Sequence, residues 1–339
     1  MTRNYTIDCI KLLLSAMIAC HHFKGIFISS TTVVHIFFIL SGFFLAQSFY
    51  SGKYGNDTFR YTCARLKRIY PYYLFAFFAY FLFTEKRILI TEPITFCKDF
   101  CNSFSEIFLL QNVGIFGGGA NYPLWQLCTL LVVSHVLFSL MVHDEQLTAN
   151  VFCPLLFIGI YTYLANVYST EEVNLWGVEF KFFYVPLLVA LGSVSFGIAI
   201  YRPVTEAVQW FQVHLSELQI SAISAVSLVI FWATRNNYVS HLIFVVILIC
   251  CLSNKGFLCL LNRNFFACGE KLSLAIYLNH ALVILLYNRI FAFLNDQSII
   301  LQSLIYLCMV FIYSVCMLKI VDWLKPKISH RFLKSSSGC

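Results

Sequence analysis

The sequence predicts an all-α protein: a polytopic transmembrane helix bundle of about ten spans, with N- and C-termini cytoplasmic. Three observations carry that expectation. Of 339 residues, 60% are hydrophobic and only 12% are charged, with a mean hydropathy of +0.77. Soluble domains run at about 45–50% apolar and roughly 25% charged, and so few ionic groups cannot cover a water-facing surface. This excludes a soluble enzyme of one or two domains. Second, 35 Phe and 19 Tyr would drive aggregation if they faced water in such numbers. Third, the apolar residues come in runs of bilayer length, which for a helix is about 20 residues.

Taken in order, windows of that length fall near 7–27, 33–50, 69–84, 123–142, 151–168, 181–200, 219–234, 239–253, 272–293 and 299–321. Those at 219–234 and 239–253 are short. The stretch 97–116 is also apolar, but it carries Asn102, Ser103, Ser105, Glu106, Gln111 and Asn112 and runs into Gly117-Gly118-Gly119. It reads as an interfacial or re-entrant element, a form tolerated at membrane depth only where protein or a cavity satisfies its backbone. Lys53, Arg60, Arg65, Lys67 and Arg68 follow the second window, against the single acid Asp57. Lys255, Arg263 and Lys271 follow the eighth, and Lys325, Lys327, Arg331 and Lys334 follow the tenth. With ten spans all three basic segments lie on the cytoplasmic side, as the positive-inside rule requires. The loop 169–180, with Glu171, Glu172 and Glu179, then lies outside. The net charge of +7 is explained by this loop placement, so no nucleic-acid partner is expected.

The first window does not read as a cleavable signal peptide, because Asp8 and Lys11 interrupt its start and no small-residue cleavage site follows. Residues 1–325 read as one integral membrane domain and 326–339 as a basic cytoplasmic tail. Many of the 14 Cys lie inside apolar runs, where Cys behaves as a small hydrophobe. No His/Glu pair at i, i+4 and no CxxC cluster is present, so no metal is expected.

Ionisable groups within a span are costly and point by default to function. The first window carries Asp8, Lys11, Ser15, His21 and His22. Lys11 and His22 are eleven residues apart, which at 100° per residue returns them to within about 20° of one line, ~16 Å apart along the axis. Such a stripe faces the bundle interior or a wet cavity. Imidazole exchanges a proton near neutral pH, so His22 is a candidate general base. A hydrogen-bonded packing stripe, with Lys11 snorkelling to the headgroups, is the other reading of the same residues.

Asp8-Cys-Ile-Lys11, followed by His22, resembles the first-helix motif of the membrane acyltransferase-3 family, in which Arg is usual where Lys11 stands. Four further stretches resemble segments of that family in the same order. They are His35-Ile-Phe37-Phe38-Ile-Leu-Ser41-Gly42-Phe43, Arg65-Leu-Lys67-Arg68-Ile-Tyr-Pro71, Asn121-Tyr-Pro-Leu-Trp125-Gln-Leu and Ser273-Leu-Ala-Ile-Tyr277-Leu-Asn-His280.

The resemblance implies a multi-pass O-acyltransferase of a bacterial inner membrane. Such an enzyme most often moves acetyl from acetyl-CoA, a diffusible cosubstrate, to a hydroxyl of a cell-surface glycan or lipid-linked sugar. On that reading His22 is the base, and Lys11 holds the donor's phosphates or organises the entrance. Arg65, Lys67 and Arg68 meet the CoA phosphates, while His35, Asn121, Trp125, Tyr277 and His280 contact the acceptor. His135, His214, His241 and His330 show no partner pattern. A transporter or flippase of lipid-linked glycan is the alternative from another class, since it too has polar stripes and basic inner loops.

Overall fold

The computed structural model describes residues 4–26, 29–111, 121–168, 184–234 and 236–336, and their regular elements are helical. The longer helices are α1 (Tyr5–Lys24), α2 (Ser30–Tyr50), α3 (Thr58–Thr91), α4 (Pro93–Asn102), α5 (Trp125–His143), α6 (Cys153–Tyr168), α7 (Val185–Ala199), α8 (Tyr201–His214), α9 (Glu217–Ala233), α10 (Asn237–Leu252), α11 (Gly269–Ile290) and α12 (Ile299–Ser336). Asn4 caps α1, its side chain accepting from the Thr6 and Ile7 backbone, an arrangement that satisfies orphan donors of the first turn.

Each sequence window falls on a helix. Among the described residues, six helices are long and apolar enough to cross a membrane, and a seventh counts if α7 and α8, bent by 43°, act as one. The windows in α3, α9 and α10 do not meet that measure; α9 and α10 have only 17 and 16 residues. α12 runs across position 325, from Ile299 to Ser336.

Side-chain contacts fix the helix directions. α1 and α11 lie parallel: the Ser15 and Ser273 hydroxyls are 2.7 Å apart, Ser273 Oγ donates to the Lys11 carbonyl at 2.9 Å, and His22 meets His280. α12 returns antiparallel to α11, with Lys271 paired to Asp322 at 3.3 Å and the Tyr306 hydroxyl donating to the His280 carbonyl at 3.0 Å. α10 ends beside the start of α1, where Asn4 Nδ2 donates to the Cys251 carbonyl. The starts of α1 and α11, the Arg68 region of α3 and Asp322 therefore share one face of the bundle.

α2 and α7 cross at a pair of glycines. A Cβ on Gly42 would sit 2.0 Å from the Val194 carbonyl oxygen, and one on Gly197 would sit 2.1 Å from that of Ile39. Small residues of this kind let membrane helices approach backbone to backbone.

The segment expected to be interfacial or re-entrant folds back on the helix before it. Phe96 and Phe100 pack on Phe81, with ring centroids 5.4 and 5.7 Å away. The chain then descends to the level of Tyr70 and Tyr73, whose hydroxyls donate to the carbonyls of Ile107 and Glu106 at 2.9 and 2.7 Å. Protein groups thus satisfy this irregular backbone, as its depth demands. The glycine run 117–119 and the loop 169–180 lie outside the described residues.

Candidate active site

The expected shared face of α1 is present: Lys11, Ser15 and His22 all border spaces inside the bundle. A chamber of about 600 Å³ lies between α1, α2 and α3 on the face that holds Arg68. Four cations line it, Lys11, Lys53, Arg65 and Arg68, against two acids, Asp8 and Glu270. Glu270 sits 3.2 Å from Arg68 and 3.9 Å from Lys11. It offsets part of the charge, but the chamber keeps an excess of positive groups. Arg65 reaches the Tyr61 hydroxyl at 2.5 Å, and the Lys11 ammonium lies 4.6 Å from the Phe44 ring centroid.

A second space of about 290 Å³ shares Lys11, Phe37, Ser41, Arg65, Arg68 and Glu270 with the chamber and reaches Ser15, Gln126, Ser273 and Tyr277. A third, of about 30 Å³, is bordered by Tyr277, Pro123 and Trp125 together with His22, Ile18, Ser30, Thr31 and Val34. Its volume holds a water or two. Tyr277 borders both inner spaces, and its hydroxyl donates to the Pro123 carbonyl, making this ring the partition between them. The largest of these three spaces is the basic one, while His22 borders the smallest.

His22 is held from two sides. Its Nδ1 lies 2.7 Å from the Tyr122 hydroxyl, with the two rings stacked, and 3.4 Å from His280 Nε2. His280 Nδ1 in turn meets the Tyr277 carbonyl at 2.7 Å. Tyr122 leads into α5 through a short 3₁₀ turn, Tyr122–Leu124, and Asn121 anchors that turn. The Asn121 backbone N–H donates to Glu106 Oε1 at 3.0 Å, and its side-chain amide donates to the Leu278 carbonyl at 3.4 Å.

Several expected residues do not border any of the three spaces. Lys67 is exposed and borders none of the three spaces. It follows Arg65 by two residues, about 200° round the helix, so the two side chains leave opposite sides of α3. His280 and Asn121 are fully buried; they stand behind His22 and Tyr122 rather than facing open space.

His35 is also fully buried, and it faces α6, α7 and α10 instead of an entrance. Its Nδ1 lies 3.2 Å from the Tyr161 hydroxyl, which lies 2.6 Å from Ser193 Oγ. The ring of His241 is 5.3 Å away, so His241, which shows no pattern in sequence, has a partner in the fold. Trp125 and Tyr277 do border the His22 space.

Sequence reasoning missed two residues of the site. Tyr122 sits inside the Asn121-Tyr-Pro-Leu-Trp125 stretch but gives no signal of its own. Glu106 is a fully buried carboxyl in a segment otherwise read only for its depth.

No match to this chain is found among curated proteins or among solved structures. A family model does match. It describes an acyltransferase domain and spans residues 4–319, which takes in the basic chamber, the Tyr277 partition and the His22 pocket alike, and the chain therefore belongs to the acyltransferase-3 family.

Proposed function

We propose that this protein is a membrane O-acyltransferase of a bacterial inner membrane. It moves acetyl from acetyl-CoA to a hydroxyl of a cell-surface or lipid-linked polysaccharide, with His22 as general base. The single observation carrying this reading is the placement of a cation-lined chamber and a narrow pocket bordered by an imidazole on the two sides of Tyr277. We orient the basic face toward the cytoplasm, where lysine and arginine accumulate and where acetyl-CoA is available. On this reading all ten apolar helices cross the bilayer.

The CoA phosphates lie among Lys11, Arg65 and Arg68, and the pantetheine arm passes Tyr277 toward His22. A sugar hydroxyl is a poor nucleophile at neutral pH and needs a base within hydrogen-bond reach. His22 takes the hydroxyl proton as the oxygen attacks the thioester carbonyl. Ser30 and Thr31, which border the same pocket, supply hydroxyl donors to the oxyanion, a charge that fixed dipoles in a dry site stabilise well. Collapse of the intermediate breaks the carbon–sulfur bond, and the imidazolium returns the proton to the leaving thiolate. Acetyl ester and free CoA thiol are the products, and the proton balance closes within the site.

Purified protein in lipid nanodiscs, given acetyl-CoA and surface glycan, tests the reading. Release of CoA thiol matched by ester on sugar is the expected result. In sealed vesicles, glycan crossing the bilayer with no ester formed would replace the transferase reading by a transporter.

A further inference from the structure

Resting on the reading of His22 as the base, we propose that His280 is a positioning residue that sets the tautomer of His22, so that the basic lone pair lies on Nε2. A backbone carbonyl only accepts hydrogen bonds, so the 2.7 Å contact between His280 Nδ1 and the Tyr277 carbonyl requires the proton on Nδ1. A neutral imidazole carries one N–H, which leaves a lone pair on His280 Nε2. That lone pair faces His22 Nδ1 at 3.4 Å. Two lone pairs at this separation repel, whereas an N–H on His22 Nδ1 is attracted. The Tyr122 hydroxyl, 2.7 Å from the same nitrogen, accepts that N–H equally well, because a hydroxyl oxygen takes either role. His22 Nε2 is then unprotonated and free to receive the substrate proton.

Full burial of His280 keeps water from supplying another partner and holds the ring in one orientation. The backbone also holds it: His280 lies three residues after Tyr277 on α11, so one turn of helix presents the carbonyl to the ring. Fixing the tautomer of a catalytic histidine through its second nitrogen is a large effect elsewhere. Reversal in the Ser-His-Asp triad lowers kcat by about 10⁴-fold.

The test uses the full chain in nanodiscs, with two readouts. The first is the ¹⁵N spectrum of histidine-labelled protein, with the His22 signals assigned by difference from His22→Ala. The proposal requires His22 to carry its proton on Nδ1 in the wild type and to become a mixture, or the Nε2–H form, in His280→Ala. The second is steady-state acetyl transfer. His280→Ala should lose about 10²-fold or more in kcat, with KM for acetyl-CoA changed less than about twofold. His280→Gln, whose amide oxygen can take the place of Nε2, should recover at least tenfold of that loss. If His280→Ala does not fold, the wild-type spectrum and the Gln variant still decide the matter. An Nε2–H form of His22 in the wild type, or equal kcat in wild type and His280→Ala, overturns the proposal. Full transfer by His22→Ala overturns the base assignment instead, and the spectrum then judges the tautomer on its own.

Discussion

At the scale of single residues, the proposed function divides the chemistry between Lys11 and His22, at the two ends of one helix face. Lys11 stands among the chamber's cations and His22 faces the inner pocket, with ~16 Å of helix rise between them. On the proposed reading Lys11 serves donor binding and not the reacting atoms. Lys11→Ala should raise KM for acetyl-CoA about tenfold, or ~1.4 kcal/mol, with kcat little changed. Lys11→Arg should stay near wild type, since a guanidinium keeps the charge and adds a fork suited to phosphate. Steady-state titration with acetyl-CoA separates the two variants. The shared face of Lys11 and His22 was legible in sequence because helical spacing alone places it. His280 was legible as a polar residue in a span but not as the neighbour of His22, because 258 positions separate them and only the parallel packing of α1 and α11 brings them together. His35 shows the converse. Its spacing within α2 says nothing about which neighbouring helices it will face, and it turns to Tyr161 and His241.

At the scale of elements, the descending segment after α4 carries more of the site than its composition suggests. Glu106 holds the Asn121 N–H, and Asn121 begins the turn that presents Tyr122 to His22. Glu106→Ala leaves that buried N–H without its acceptor, a loss worth about 1–3 kcal/mol. It should lower both thermal stability and kcat, whereas Glu106→Gln keeps an acceptor oxygen and should retain most of each. Thermal unfolding in nanodiscs with parallel rate measurements distinguishes them. The crossing of α2 and α7 is stricter still. Gly42→Ala or Gly197→Ala puts a methyl about 2 Å from a backbone carbonyl oxygen, and a backbone cannot give way as a flexible side chain does. Each should destabilise the bundle by about 1–3 kcal/mol or more, read as a lower unfolding temperature. Apolar run length revealed these helices in sequence, but their crossing points depend on shape complementarity between distant segments.

At the scale of the whole molecule, the starts of α1 and α11 and the Asp322 region of α12 lie on one face together with Arg68. That face is rich in lysine and arginine, and the proposed orientation toward the cytoplasm rests on the same charge bias that predicts topology from sequence. Single cysteines at Asn56 and Asp296, introduced after the exposed native cysteines are replaced by serine, report on this. Asn56 should react with a membrane-impermeant maleimide only after cells are permeabilised, and Asp296 should react in intact cells. Tyr277 stands between the spaces that hold the chamber's cations and the pocket that His22 borders, and on the proposed reading this arrangement links topology to chemistry.

Acetyl transfer and acetyl-CoA binding measured side by side on wild type and His22→Ala test this link most directly. The account predicts that His22→Ala binds acetyl-CoA as tightly as wild type, because the phosphate contacts lie far down the helix, yet places no acetyl on the glycan. Transfer by His22→Ala at the wild-type rate would contradict it.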